Sequence, residues 1–384
     1  MFIELHLLQN FVPANLNRDD TGNPKDTEFG GQRRARISSQ CLKRTIRTND
    51  IFANTTKMSN GDRTKKMAQA LAEEIKASGK TETVEEAMPV AIAVVAAYYS
   101  KKEKMDSQEP EKTSYLVYIS KSEIAALTQT VLKNWDNLNP PEDKKSEKVA
   151  AKLVAPLIKE TKKRTSAPDI ALFGRMLADQ PDLNLNAACQ VAHAISTHRI
   201  TMEMDYYTAV DDLNPSEETG AGMVGFTGFN SACFYRYARI DWRQLVTNLN
   251  DDALLAARTV EGFIRSSIAA VPSGKKNSTA PFNPPSFILA VVRKDGMGWN
   301  LANAFEASVR PKFDEGLVAP SLDKLERYWA RLTEVYGDDK LEGVFALPLD
   351  PGLSMTALAD KQVTSLNQLV ESVIRAVSAN GATA

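Results

Sequence analysis

Cysteine is scarce in this sequence: Cys41, Cys189 and Cys233 stand far apart in 384 residues, with no Cys-x-x-Cys pair. That usage excludes a disulfide framework, makes a zinc ribbon implausible and fits a reducing cytosol. An excess of charge is missing too. Lys and Arg number 47 against 48 Asp and Glu, a formal net charge of -1. Bulk attraction to nucleic acid is therefore excluded, and any such binding must be local. The longest apolar run, Ala87–Tyr99, falls well short of the ~20 residues a bilayer span requires and carries Pro89 near its start. It reads as a buried helix, and no membrane partner is expected. The opening Met-Phe-Ile-Glu-Leu-His lacks a basic leader and cleavage site and reads as a first strand, so a cytoplasmic protein is expected.

Catalytic signatures are equally absent: there is no Walker A loop, HExxH, GxSxG or kinase motif. The three histidines, His6, His193 and His198, lie in strand-like segments and read as structural. Asp19-Asp20 and Asp211-Asp212 could in principle hold a divalent metal, but adjacent loop carboxylates more often cap turns or pair with neighbours such as Arg18. No enzymatic activity, metal or cofactor is expected.

The alternation in Phe2–Leu8 predicts a mostly buried strand, followed by a long polar loop from Asn15 to Gly31. Ser38-Ser39 then offers a cap to a short amphipathic helix, Gln40–Arg47. From about Gly61 to Gln180 apolar residues recur at helical spacing, as in Met67, Leu71, Ile75 and Ile124, Leu127, Val131. A linker at Asn139-Pro-Pro-Glu-Asp-Lys-Lys breaks this helical insertion. The lysines of its later half, from Lys144 to Lys163, read as a solvated face rather than an RNA-facing one. Strand signals return at Ala192–His198, Cys233–Ile240 and Ser286–Arg293, and the charge-free, glycine-rich Gly220–Phe229 suggests a protruding hairpin or loop. Ser365 could cap a last helix carrying a Leu366, Leu369, Val370, Val373, Ile374 stripe. Strands from both ends thus form one sheet around a helical insertion, an α+β fold.

Charge is unevenly spread in one place. Between Gly30 and Arg47 lie Arg33, Arg34, Arg36, Lys43, Arg44 and Arg47, with no acidic residue among them. Lys43 and Arg47, four apart, share a helix face, while Leu42, Thr45 and Ile46 are expected to pack inward. The serine hydroxyls and free amides at the helix start suit a phosphate, and Gly30-Gly31 permits close backbone approach. A solvated basic helix with an ordinary cap explains the same residues, and both readings stand. Tyr206-Tyr207 and Phe234–Arg239 could stack bases or be core, and Met176 reads by default as core.

From Asn17 through Phe29-Gly-Gly-Gln-Arg-Arg-Ala-Arg-Ile-Ser-Ser-Gln-Cys-Leu-Lys-Arg, the sequence resembles the CasC-type backbone subunits (Cas-seven family) of the type I-E CRISPR Cascade complex. The likeness continues at Phe173–Met176, Ala192–His198, Tyr207–Leu213, Phe234–Ala238 and Ala302–Glu306, covering about half the chain. The family's fold implies an RRM-like (ferredoxin-like) antiparallel palm with inserted helical fingers and a thumb hairpin. Here that divides the chain into palm 1–56, fingers 57–188, palm strand 189–199, thumb 200–232 and palm 233–384.

The resemblance further implies several copies lined along the spacer of a CRISPR RNA, beside other Cascade subunits, with the exposed bases pairing to a target DNA strand. Arg18, Lys25, Ser38, Gln40, Lys43, Arg44 and Arg47 would contact the RNA backbone. Arg175 and Met176 would flank the RNA, Met176 wedging between bases, while Tyr207, Met223 and Val224 of the thumb would displace one nucleotide. Two other readings follow from related proteins: a backbone subunit of type III character, cutting RNA with Asp19 or Asp20 and a metal, and an independent RRM-type RNA binder.

Overall fold

A computed structural model describes residues 1–99, 105–139, 144–177, 181–209, 223–311 and 315–381 of the chain. Two compact units are present. The first comprises Met1–Phe52, Gln190–Ile240 and Val260–Ala384, and the second Ala53–Cys189 with Asp241–Thr259. The strands in chain order are β1 (Phe2–Ala14), β2 (Asp26–Phe29), β3 (Gln32–Ile37), β4 (Asp62–Thr64), β5 (Val117–Ile119), β6 (Cys189–Val191), β7 (Ala194–Ser196), β8 (Glu203–Ala209), β9 (Met223–Asp241), β10 (Phe287–Arg293) and β11 (Leu341–Pro348).

The first unit is built on a sheet of order β11-β10-β1-β9-β7-β3-β2, with β6 and β8 also paired to β9. The β1–β10, β10–β11, β2–β3, β3–β7, β7–β9 and β8–β9 pairings are all antiparallel. β1 runs from Phe2↔Arg293 to Leu8↔Phe287 against β10, both buried strands. Because successive side chains point to opposite faces, β1 serves two cores. Leu5 and Leu7 pack with Leu42 and Ile46 of the Ser39–Arg47 helix and with Phe263. Leu8 joins Tyr235, Phe287, Leu322, Leu325 and Trp329 on the other side. Burial of each such side chain contributes about 1.5–3 kcal/mol. The face of Leu8 also carries Glu4 and His6, both fully buried. Glu4 accepts from the Tyr237 hydroxyl at 2.9 Å and from Trp299 N at 3.1 Å, and Arg293 lies at 3.6 Å. His6 Nδ1 meets the Tyr235 hydroxyl at 2.9 Å.

The polar run after β1 is not a loop throughout. Asp26–Phe29 pairs with Gln32–Ile37, and Gly30 and Gly31, at φ +61° and +67°, make the two-residue turn. Both central residues of such a turn need positive φ, which glycine alone adopts freely. A Cβ on Gly30 would also collide with the Glu306 carbonyl. The close approach that Gly30 permits is therefore to the protein's own backbone. At the other end of the chain, Ser365 caps Leu366–Gly381 by accepting from Gln368 N at 3.2 Å, and Leu369, Val370 and Val373 are buried as their spacing predicts.

Helices dominate the second unit. Met67, Leu71 and Ile75 pack with Val90, Val94, Ile124, Leu127 and Val131 in one cluster. Thr83 caps Val84–Tyr98, and Ser120 with Glu123 forms a reciprocal capping box at the start of Lys121–Lys133. Residues 140–143 of the linker at Asn139 lie outside the described residues. The helix Trp242–Asn248 also belongs to this unit. Asn248 Nδ2 donates to Ala171 O and Asn186 O at 2.8 Å each, and Asn248 O accepts from Thr165 N at 2.8 Å. Long-range amide bonds of this kind leave no periodic trace in sequence.

Candidate nucleic-acid interface

Ser38 caps the Ser39–Arg47 helix, its Oγ accepting from Cys41 N at 3.3 Å. Its own amide donates to Asn17 Oδ1 at 2.9 Å, and Ser39 N donates to His193 Nδ1 at 3.2 Å. Ser38 is buried, and the amides of Ser38, Ser39 and Cys41 at the helix start are engaged by protein groups. Burial and the neighbouring cations Arg36 and Lys25 hold the His193 pKa below its ordinary value, which suits a ring nitrogen acting as acceptor.

Around this helix the side chains fall into three stripes. Leu42 and Ile46 are buried. Gln40, Lys43 and Arg47 follow one another on a second stripe, Gln40 exposed and the two cations half-buried. Cys41, Arg44, Thr45 and Thr48 form the third, which lines a cleft, so Thr45 faces outward rather than into the core. Its hydroxyl donates to Cys41 O at 2.8 Å. No acidic residue stands in the first turn, and Arg44 and Arg47 occupy the last, where the helix dipole favours them.

The preceding arginines are not part of this surface. Arg34 is fully buried and donates to Phe29 O at 3.3 Å, Ser196 O at 3.2 Å, Phe305 O at 2.9 Å and Glu306 O at 3.0 Å. Arg33 pairs with Asp26, and Arg36 Nε donates to Asp26 O at 3.2 Å. Half of the cationic run therefore stitches the sheet together.

The cleft measures about 790 Å³ and is walled by Leu16–Asp20 and Gly22, by the third helix stripe, and by Val271, Ser273, Gly274 and Lys276. Arg18 on its rim is exposed and bridged through its backbone to Pro24. Asp19 turns inward on its own loop: its Oδ1 accepts from Thr21 N at 2.9 Å, Thr21 Oγ1 at 2.8 Å and Asn23 N at 2.9 Å. The Thr21 hydroxyl first, with the Asn23 and Thr21 amides, lowers its pKa. This is the turn-capping role. Lys25, half-buried, is fixed through its backbone to Asn17 O at 2.8 Å and Arg36 N at 2.9 Å.

In the β8–β9 hairpin, Gly225 and Gly228 on β9 leave room for Tyr207 and Asn23, respectively. A Cβ on Gly225 would overlap the Tyr207 ring, which pairs with it across the strands. Tyr207 and Met223 share one face, and Met204, Tyr206 and Phe226 the other. Tyr206 and Phe226, 56% and 67% exposed, meet edge to face at 5.3 Å. Val224 pairs with Thr208 through its backbone. Asn15 Nδ2 donates both to Gly22 O at 2.9 Å and to Gly228 O at 3.0 Å, tying the hairpin base to the cleft loop. Residues 210–222, with Asp211, Asp212 and Gly220–Gly222, lie outside the described residues. Phe234, Tyr235 and Arg236, by contrast, are core residues.

In the second unit, Gly174 ends the Pro168–Phe173 helix at φ +76°, where a Cβ would press on Leu185 O. Arg175 is not a surface residue. Its Nη1 pairs with Glu123 Oε1 at 2.7 Å and its Nε donates to Leu183 O at 2.7 Å, both carboxylate and guanidinium buried. The expected place of Arg175 beside the RNA is thus filled by a guanidinium enclosed by the protein's own Glu123 and Leu183. Next to it Met176 is 84% exposed. Its flanks are pinned, Arg175 by a two-way backbone bridge to Leu185 and Leu177 N by Asn184 Oδ1 at 2.5 Å. Met176 is a rigidly mounted apolar projection, not the core residue that its helix-end position suggests.

The model of the family described as CT1975-like protein matches residues 3–372. The chain belongs to this CT1975-like Cas family. It is similar to a subunit chain of a solved CRISPR RNA-guided surveillance complex in a pre-nicking state, with a TM-score of 0.83 at 29% identity over 98% of this chain and 100% of that one. A chain of another CRISPR RNA-guided surveillance complex matches with a TM-score of 0.62 at 25% identity, again over 98% and 100%. Among curated proteins, none matches the chain significantly.

Sequence reasoning missed Lys276 and its neighbours as a wall of the cleft, although Gly274-Lys-Lys-Asn is a loop signal followed by cations. Among the described residues, no helix is long and apolar enough to cross a membrane, and no group of three or more His, Cys, Asp or Glu could hold a metal.

Proposed function

We propose that this chain is a non-catalytic backbone subunit of a CRISPR RNA-guided surveillance complex, of the type I-E Cascade kind, in the cytoplasm. Several identical copies line the spacer of a CRISPR RNA and hold its phosphates without reading sequence, beside the other subunits of the complex. The observation that carries this is the segregation of Gln40, Lys43 and Arg47 on one stripe of a capped helix whose Leu42 and Ile46 are buried, in a chain of the CT1975-like family. A local cationic stripe on a near-neutral protein binds a polyanion without a bulk charge excess.

In this reading the first unit is the RRM-like palm and supplies Arg18, Lys25, Gln40, Lys43, Arg44 and Arg47 to the RNA backbone. Ser38 serves as the helix cap. Met176, apolar and rigidly mounted, wedges between bases, and Arg175 holds it there. The β8–β9 hairpin is the thumb, with Tyr207 and Met223 displacing one nucleotide so that the bases between can pair with a target DNA strand. Base pairing then supplies specificity while the protein supplies spacing and charge. No chemistry is asked of Asp19, whose carboxylate is committed to its own turn.

Co-expression with the partner subunits and a CRISPR RNA tests this. Wild type is expected to copurify with a uniform RNA, and the folded Lys43→Ala/Arg47→Ala variant to lose it as salt is raised. Equal retention by both would remove the helix from the RNA site. Metal-dependent cleavage of a complementary RNA, abolished by Asp19→Ala, would replace the non-catalytic reading.

A further inference from the structure

One wall of the cleft belongs to a loop, Ser273–Phe282, that the functional reading does not use. Its place is fixed by close backbone packing. A Cβ on Gly274 would collide with Asn15 O and Leu16 O, so the loop lies directly on the end of β1. Farther on, Asn283 O accepts from Gln9 Nε2 at 2.7 Å and Asn283 Oδ1 from Val12 N at 3.3 Å. Between these anchors runs a single helical turn, Lys276–Thr279, flanked by Lys275 and Ala280 at φ values of +47° and +42°, a region that side-chain-bearing residues avoid. The loop is thus tied down at both ends and holds an unfavourable backbone conformation between them.

That conformation presents Lys276 to the cleft and sets its Nζ 4.7 Å from the centroid of Phe282, a ring 62% exposed. Lys276, Arg18 on the neighbouring loop and Arg44 on the helix line the same cleft. Two carboxylates face them, Asp20 and Asp19, of which Asp19 is engaged by Thr21 and Asn23. At about 790 Å³ the cleft falls within the range of pockets that enclose small organic ligands. Cations beside an exposed aromatic ring are what single-stranded nucleic acid uses, phosphate on the charge and base on the ring.

We infer that Ser273–Phe282 is a second contact for the same RNA strand, Lys276 sharing a phosphate with Arg44 and Arg18 in the cleft and Phe282 stacking on a base. This rests on the RNA-binding reading above. It assigns the strand two tracks on the first unit: the Gln40, Lys43, Arg47 stripe and the cleft on the adjacent stripe of the same helix.

The test is fluorescence anisotropy of a labelled, mixed-sequence single-stranded RNA against the full chain over a salt series. Removing one phosphate contact lowers the slope of log affinity against log salt by about 0.7 for a single strand. Lys276→Ala is expected to lose that amount. Phe282→Ala is expected to weaken binding about tenfold with the slope unchanged, because stacking releases no counterion. If Lys276→Ala keeps the wild-type slope while Lys43→Ala/Arg47→Ala loses its share, the inference is overturned and the RNA reading stands. If all these variants bind as wild type does, both fall. Ultraviolet crosslinking of wild type to RNA carrying 4-thiouridine needs no variant. Adducts on 273–282 support the inference, and adducts elsewhere in the first unit but not there overturn it.

Discussion

Two arginines ten residues apart in one basic run are expected to behave as opposites. Arg34 is fully buried and donates to four carbonyl oxygens, those of Phe29, Ser196, Phe305 and Glu306. Arg34→Met keeps much of the apolar volume but leaves those carbonyls without their donor. Each hydrogen bond from a charged group contributes about 1.5–3 kcal/mol, but the four share one guanidinium and the site can relax. Leaving a buried acceptor without its donor typically costs about 1–3 kcal/mol, and with partial relaxation we expect about 3–5 kcal/mol for the four carbonyls together. At roughly 2–4 °C per kcal/mol for a unit of this size, the melting transition of the first unit falls by on the order of 10 °C. Arg44→Met, on the cleft stripe, is expected to change stability by less than about 0.5 kcal/mol. In RNA binding the order reverses. Measured at low temperature where it is still folded, Arg34→Met retains the wild-type salt slope, and Arg44→Met loses about 0.7. Calorimetry and anisotropy on the two variants decide the matter. An Arg34→Met protein that melts with wild type but has a reduced salt slope would refute the partition of this run into structural and RNA-facing halves.

Three further outcomes are expected. Met176→Ala, at an exposed site, should leave stability within about 0.5 kcal/mol of wild type, while the fluorescence of 2-aminopurine placed along the bound RNA loses its periodic enhancement; an unchanged pattern would remove Met176 as the wedge. Gly225→Val should displace the Tyr207 ring that its Cβ would overlap, shifting the same reporter at the displaced nucleotide, whereas Thr227→Val, two residues along β9, should not. Lowering the pH should destabilise the first unit through His6, whose pKa burial first and Arg293 second bring down to about 3 from 6.5. Above pH 6.5 both folded and unfolded states are deprotonated and the stability is complete. As pH falls from 6.5 towards 3 the unfolded chain takes up the proton and the native one does not, so roughly 2 kcal/mol is lost by pH 5. His6→Gln should flatten that dependence in denaturant titrations, leaving the smaller share of His193 and His198, whose pKa values are also lowered; an unaltered slope would exclude His6 as its source.

Local pattern alone determined a good part of this protein. The alternation in β1, the helical spacing of Met67, Leu71, Ile75 and of Ile124, Leu127, Val131, and the serine caps at Ser38 and Ser365 are short-range signals, and each element formed where its pattern placed it, with β1 running on past Leu8 to Ala14. The α+β class and the amphipathic helix with its Lys43 and Arg47 follow from the same periodicities. Tertiary structure decided what a side chain does once the elements meet. In the run Arg33-Arg34-Ala-Arg36 nothing separates one arginine from the next by type, yet strand parity and the approach of Phe305 and Glu306 enclose Arg34, while Arg33 pairs with Asp26 at the surface. Arg175 and Met176 are neighbours in a short motif, and the partners that bury one and leave the other outside, Glu123 and Leu183, come from elsewhere in the chain. The cleft wall at Lys276 depends on Gly274 reaching the end of β1 more than 250 residues earlier in sequence. Periodicity reports which face of an element is apolar. Which polar group is enclosed, and which faces a cleft, depends on contacts between residues far apart in the chain, and those exist only in the folded molecule.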